Sequence, residues 1–211
     1  MARGGSTRIT RRAFCVGALS ALACAREDAG PIIIAIQPLL PAPDEATLTA
    51  VEALARELLG AAVLRLAPTP LPATAWYAPR RRHRAEVVVR ALESLRPSGA
   101  ARVLGVTARD ISTTHGEATD WGVLGLGVIG GRAAVASSHR IGRSANDAAH
   151  ARTLFARVCV HELGHTLGSP HCEEPACLMQ DVHGKVAALD AAGDFCAATR
   201  TLLARAGART L

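Results

Sequence analysis

His161, Glu162, His165 and His171 carry the densest chemistry in the chain. They lie in His161-Glu162-Leu163-Gly164-His165-Thr166-Leu167-Gly168-Ser169-Pro170-His171, the pattern H-E-x-x-H-x-x-G-x-x-H. Residues four apart share one face of a helix. His161 and His165 can therefore offer two imidazole nitrogens to one metal ion. Glu162 sits one step round, placed to reach a metal-bound water rather than to be a first ligand. Gly168 permits the left-handed turn that ends a helix, and Pro170 cannot continue it. The chain can then fold back and bring His171 in as a third ligand. Three neutral ligands with one open position suit a catalytic zinc ion, not a closed structural one. A bare H-E-x-x-H also fits a helix with two ordinary histidines; the eleven-residue pattern is far more specific.

The chemistry that follows is hydrolysis of a peptide bond. Three imidazoles leave the charge of the ion undiminished, and the pKa of a bound water falls toward about 7. Glu162 is the candidate catalytic residue. It takes the proton as the zinc-bound water attacks a carbonyl, then passes it to the leaving amine. The alternative is a metal-binding, weakly or non-hydrolytic protein that uses the same fold to recognise a partner. The glutamate favours the enzyme, because a pure binder needs no general base.

Cys172 directly follows His171; Cys177 and Met179 come next, and Cys196 lies further on. The run H-E-L-G-H-T-L-G-S-P-H-C-E-E-P-A-C-L-M resembles the archaemetzincin family of metzincin-clan zinc metallopeptidases. That family's pattern is H-E-x-x-H-x-x-G-x-x-H-C-x4-C-x-M, a spacer, and C-x-x-C. The opening I-I-I-A-I-Q-P-L, the V-L-G-V-T-A-R-D segment, the glycine-rich hairpin after it and the order of helices extend the resemblance over roughly residues 31–200. It implies an α+β, metzincin-like zincin. A mixed twisted sheet flanked by helices would form an N-terminal lobe over about 31–168, ending in the active-site helix. A smaller helical lobe would follow over about 169–211. The resemblance further implies Met179 as a Met-turn beneath the histidines, aminopeptidase activity as one form of the peptidase, and peptide or protein substrates. It also implies an edge strand that binds substrate backbone by β-addition.

The family's second, structural zinc is held by cysteines. Cys172, Cys177 and Cys196 match three of those positions, and the fourth falls on Thr199, a poor zinc ligand. The spacer after Met179 is also slightly shorter. A closed site of four cysteines cannot form in the usual way. Cys159, His183 or Asp194 are candidates to complete it. A disulfide between two of the three, leaving one free thiol, is the alternative in an exported protein.

The elements that position these residues follow from periodicity. Pro31–Leu39 reads as a buried strand, Asp44 as an N-cap, and Glu45–Leu59 as a helix stopped by Gly60. Ala62–Leu66 is a second strand. Pro68, Pro70, Pro72 and Pro79 predict an extended loop whose Trp76 and Tyr77 fill the core, with a substrate surface as the alternative use. Arg80–Arg84 reads as a solvated lead-in to a helix over Arg84–Leu95, with binding of an acidic partner or an anionic membrane as the alternative; Val87, Val88, Ala91, Leu92 and Leu95 lie on one side of that helix. Val103–Thr107 is a third strand. Gly122–Ile129 is glycine-rich but lacks the lysine of a phosphate loop. Gly130-Gly131 is a hairpin turn signal, and Ala133–Ser137 is the returning strand. Asp147–Gly168 reads as one long helix, with Cys159 a small buried hydrophobe facing away from the metal. His115, His139, His150 and His183 fall outside the motif and receive no role.

The chain has 211 residues, 49% hydrophobic and only 3% aromatic, a globular composition with an aliphatic core. The net charge of +6 is uneven. Residues 1–23 hold four of the 24 basic residues and none of the 18 acidic ones, which leaves a net of +2 for the rest. That balance gives no support to nucleic-acid binding. Residues 1–25 read as an export signal: Arg11-Arg12 resembles a twin-arginine motif, and an apolar run too short to span a bilayer follows. Ala21-Leu22-Ala23-Cys24 resembles a lipobox, with Cys24 as the lipidated residue and membrane anchor. The expected protein is periplasmic or membrane-anchored, with a cytoplasmic location as the alternative. Residues 26–211 would form a single monomeric domain.

Overall fold

The computed structural model describes Met1, residues 30–181 and residues 186–210. The export-signal reading, with Arg11, Arg12 and Cys24, and the candidate ligand His183 fall outside these residues. The chain divides into Met1–Gly30 and Pro31–Leu211, and the second unit carries every element below.

The main sheet begins with β1 (Ile33–Leu40). Side chains alternate across a strand, and here both faces are buried. Ile34 and Ile36 enter one core; Ala35 and Leu39 enter another. That pattern belongs to a parallel strand covered on both sides. Asp44 then accepts a hydrogen bond from Thr47 N and caps α1 (Glu45–Leu59), and Gly60 ends it at φ 56°. The chain returns as β2 (Ala62–Arg65), parallel to β1. β3 (Thr69–Pro70) pairs with the far end of β1.

β6 (Arg102–Thr107) lies on the other side of β1, followed by β10 (Ala133–Ser137), both parallel. β9 (Gly125–Gly127) closes the order β2-β1-β6-β10-β9 as an antiparallel outer strand. α2 (Ala85–Leu95) covers the Ala35 and Leu39 face through Val88, Val89 and Leu92. Leu95, expected on that face, is instead 49% exposed at the helix end. α1 and the long α3 (Ala148–Thr166) cover the Ile34 and Ile36 face. The expected α+β architecture, a mixed sheet flanked by helices, is therefore present. After α3 come α4 (Val186–Ala191) and α5 (Ala197–Arg205). Met179, Phe195 and Leu203 join the same core as α3. Among the described residues no helix is long and apolar enough to cross a membrane.

A second sheet differs from the sequence reading. β4 (Trp76–Tyr77), β5 (Arg82–Arg84), β7 (Ile111–His115) and β8 (Ala118–Val123) form it in the order β4-β5-β7-β8. The loop expected to be merely extended contributes β4. Trp76 does not fill the core: it is 47% exposed and packs on His83, with ring centroids 5.1 Å apart. Tyr77 lies under the Arg84 guanidinium at 5.7 Å. The physical reason is position, since a two-residue edge strand has neighbours on one side only.

The arginine run is only in part a solvated lead-in: Arg80 and Arg81 are exposed, whereas Arg82 and Arg84 are partly buried. Arg82 pairs with Asp110 (2.9 Å) and Asp120 (3.1 Å), and Asp110 also holds Arg140 at 2.7 and 3.0 Å. Burial alone would raise the Asp110 carboxyl. The Arg140 and Arg82 guanidiniums and His139 outweigh it and hold it below the ordinary carboxylate value of 3.8. A depressed folded pKa contributes stability above the unfolded value and loses it as pH falls through the folded one. Asp110→Asn is expected to cost about 1–2 kcal/mol at neutral pH, because two guanidiniums lose their counter-charge. Urea midpoints should show that gap narrowing as pH falls below the ordinary carboxylate range; a pH-independent gap would rule out the ion-pair origin.

A candidate metal centre on the central helix

Asp147 caps α3 by accepting a hydrogen bond from His150 N at 2.8 Å. Leu154, Phe155, Val158 and Leu163 then bury the helix against the sheet. Its last two turns carry His161 and His165, each only 7% exposed. His161 Nδ1–H donates to the Leu178 carbonyl at 2.7 Å, and His165 Nδ1–H donates to the Ser169 carbonyl at 2.8 Å. These bonds fix the tautomers, so each Nε2 keeps its lone pair for a ligand. Gly168 takes φ 96°, and the chain reverses. His171 then arrives with its Nε2 3.2 Å from His165 Nε2. Its Nδ1 faces the Asp181 carboxylate at 3.5 Å.

The donor set fits zinc. One ligand nitrogen from each of the three histidines falls in a cluster within 4.8 Å. A tetrahedral zinc with Zn–N bonds of 2.0–2.1 Å separates its nitrogens by about 3.3–3.4 Å, close to the His165–His171 spacing. His161 and His165 are also in the ligating form. Burial, with His165 beside it, pushes His161 down to about 4, and burial lowers His165 as well.

Glu162 is buried beside them. Burial pushes its carboxyl up to about 8, opposed by a hydrogen bond from Gly127 N–H. A divalent cation held by the imidazoles would draw that value back down, since a nearby positive charge favours the carboxylate. Gly127 belongs to β9, which crosses directly over α3. A Cβ at Gly127 would lie 2.4 Å from the Glu162 carbonyl oxygen, and one at Gly125 would lie 2.5 Å from Glu162 Cγ. Gly130 N–H ties the following turn to the His165 carbonyl at 2.9 Å. Beneath the helix, Met179 is fully buried, and a Cβ at Gly164 would lie 2.4 Å from its sulfur.

The histidines and Glu162 open onto a cleft of about 430 Å³. Its walls include Leu126 and Ile129, the exposed pair Trp121 and His115 (ring centroids 5.8 Å apart), and Asp181. The sequence reading assigned none of these a role. Gly125 and Gly127 carried a usable signal, because glycines two apart in a strand share one face. Asp181 carried none. His139 is exposed, and His150 pairs with Asp190 at 2.6 Å.

Residues 72–205 match the model of peptidase family M54. The chain belongs to this family, the archaemetzincins. It is 29% identical over 119 residues to the archaemetzincin of Haloarcula marismortui, covering 53% of this chain and 65% of that protein. It is 36% identical over 64 residues to that of Natronomonas pharaonis, covering 27% and 37%. The matched stretches thus span less than two thirds of these curated relatives. The crystal structure of the archaemetzincin from Archaeoglobus fulgidus shares the fold with a TM-score of 0.68 and 26% identity, over 81% of this chain and 99% of that one.

The archaemetzincin cysteines form a second group. One sulfur from each of Cys172, Cys177 and Cys196 falls in a cluster within 4.8 Å. The described cysteines are free thiols. Of the candidates to complete the site, Cys159 is fully buried and outside this cluster. Asp194 is engaged by Arg200 and by Phe195 N–H (2.6 Å). The residue beside the sulfurs is Thr199. Burial pushes the Cys177 thiol up, but hydrogen bonds from the Thr199 hydroxyl and the Cys196 and Met179 N–H groups prevail and hold it below its usual value.

Proposed function

We propose that the chain is a zinc-dependent metallopeptidase that hydrolyses peptide bonds in the cleft between β9 and α3. One observation carries this reading: three imidazoles converge beside a buried carboxylate, under an outer strand of the main sheet. His161, His165 and His171 would hold the ion. When bound, zinc supplies Lewis-acid polarisation of the scissile carbonyl and lowers the pKa of water to about 7.

The rest is done by the chain. The outer edge of β9 offers backbone groups to an extended substrate, which aligns the scissile bond over Glu162. Glu162 accepts a proton from the attacking water and delivers it to the leaving amine. The Gly127 N–H aims the Glu162 carboxylate, as Asp181 steadies the His171 ring. Asp181 and Glu162 also line the cleft as carboxylates. An N-terminal ammonium pairs with such groups, which supports the aminopeptidase form of the reading.

The test is hydrolysis of a fluorogenic peptide pool by zinc-loaded protein, chelated protein and His165→Ala. Loss of cleavage in the second and third is the expected result. Cleavage that survives both would place the activity elsewhere. Blocking the substrates by N-acetylation should abolish turnover if the enzyme is an aminopeptidase, and leave it intact if it is an endopeptidase.

A further inference from the structure

We propose that Thr199 supplies the fourth corner of a second metal site, so that Cys172, Cys177, Cys196 and the Thr199 hydroxyl together hold a zinc ion. The proposal is independent of the peptidase reading, because none of these atoms faces the cleft chemistry. It reverses the expectation that a threonine at this position leaves the site incomplete.

The local fold brings the four side chains together. Cys172 and Gln180 form an isolated bridge, and so do Cys177 and Asp194. Cys196 is the N-cap of α5, with φ −70° and ψ 165°. Thr199 lies three residues on, in the first turn. The N-cap and the third helical residue face one another, the relation that a capping box exploits. The hydroxyl is thereby returned to the cysteine sulfurs.

Three of the six spacings match the edges of a tetrahedron, and the sulfurs all lie within 4.8 Å of one another. Thr199 Oγ1 lies 3.4 Å from Cys177 Sγ and 3.3 Å from Cys196 Sγ, and Cys172 Sγ lies 3.6 Å from Cys196 Sγ. For Zn–S bonds of 2.3 Å and a Zn–O bond near 2.1 Å, tetrahedral edges are about 3.8 Å for S···S and about 3.6 Å for S···O. Each observed spacing falls within a few tenths of an ångström of its edge. Thr199 is 3% exposed and Cys177 is 2% exposed. That corner is closed to bulk water, so the hydroxyl and not an outside ligand occupies it. With three thiolates and a neutral hydroxyl the site carries a net charge of −1, one unit less than four cysteines would give. The binding is therefore weaker than in a four-cysteine site. Cys172 is the neighbour of His171, so the ion would also pin the third catalytic histidine to α5.

The experiment uses the full chain carrying His165→Ala, so that any metal counted belongs to the cysteine cluster. Zinc stoichiometry, competition against a chromophoric chelator and the spectrum of the cobalt-substituted protein are measured. One zinc per chain, with tetrahedral cobalt bands and thiolate charge transfer, is expected. Thr199→Ser should hold affinity within a few-fold. Thr199→Val should lower it by more than the roughly 10–100-fold that loss of an outer-sphere partner costs. Thr199→Cys should tighten it and raise the thiolate charge-transfer intensity. A folded His165→Ala chain that takes no zinc overturns the proposal. So does valine binding as tightly as threonine. If the valine variant does not fold, absence of any gain with Thr199→Cys does the same. None of these failures touches the histidine site, which is read separately as the metal lost between wild type and His165→Ala.

Discussion

Glu162→Gln is expected to lower kcat/KM for peptide hydrolysis by about 10²–10⁴-fold while leaving the zinc content of the histidine site unchanged. Glutamine keeps the size of the side chain, and its amide oxygen can still accept the Gly127 N–H. It cannot take a proton from water at neutral pH. The three imidazoles do not depend on it: His161 and His165 are held by the Leu178 and Ser169 carbonyls, and His171 faces Asp181. Metal and fold should therefore survive as activity falls. Elemental analysis, circular dichroism and initial rates on one peptide decide the matter. An activity within ten-fold of wild type would remove Glu162 from the proton-carrying role. Loss of zinc would show that the carboxylate acts on the metal instead.

Gly127→Ala is expected to lower activity by about 10²-fold and to cost about 1–3 kcal/mol of stability. The new Cβ would sit 2.4 Å from the Glu162 carbonyl oxygen and 3.1 Å from His165 Cβ. The nearer atom is helix backbone and cannot rotate away. β9 must lift off α3, taking the Gly127 N–H from the carboxylate and shifting the edge that receives the substrate. A displacement of about 1 Å at a reacting group is enough for a loss of that size. Gly142→Ala is the matched control, because a Cβ there meets nothing within 4 Å, and it should be close to neutral. Thermal midpoints and kcat/KM check both. If Gly127→Ala matches Gly142→Ala on both readings, β9 does not depend on that close approach.

Much of the fold could be read along the chain. The Asp44 cap, the Gly60 stop, and strands β1, β6 and β10 lie where local periodicity predicts them, and Asp147, read as the first residue of the long helix, is its N-cap. The meeting of His161, His165 and His171 also follows from local spacing, since i, i+4 and a glycine turn act within about three helical turns. The second sheet was less legible. Its strands are short, as few as two residues in β4, and its arginines look like an ordinary solvated run until Asp110, Asp120 and Arg140 arrive from elsewhere.

By itself, the sequence determined which side chains share a helix face, where the helices before His171 start and stop, and that three imidazoles and one glutamate belong to one eleven-residue stretch of chain. Only the tertiary structure decided what reaches those groups from a distance. Gly127 meets Glu162 across 35 positions, Asp181 meets His171 past the Met-turn, and Thr199 meets Cys177 across 22. The reason is physical. Backbone geometry propagates a periodic pattern over a few turns. Contacts across tens of residues depend on how buried strands and helices pack, and no local spacing encodes that.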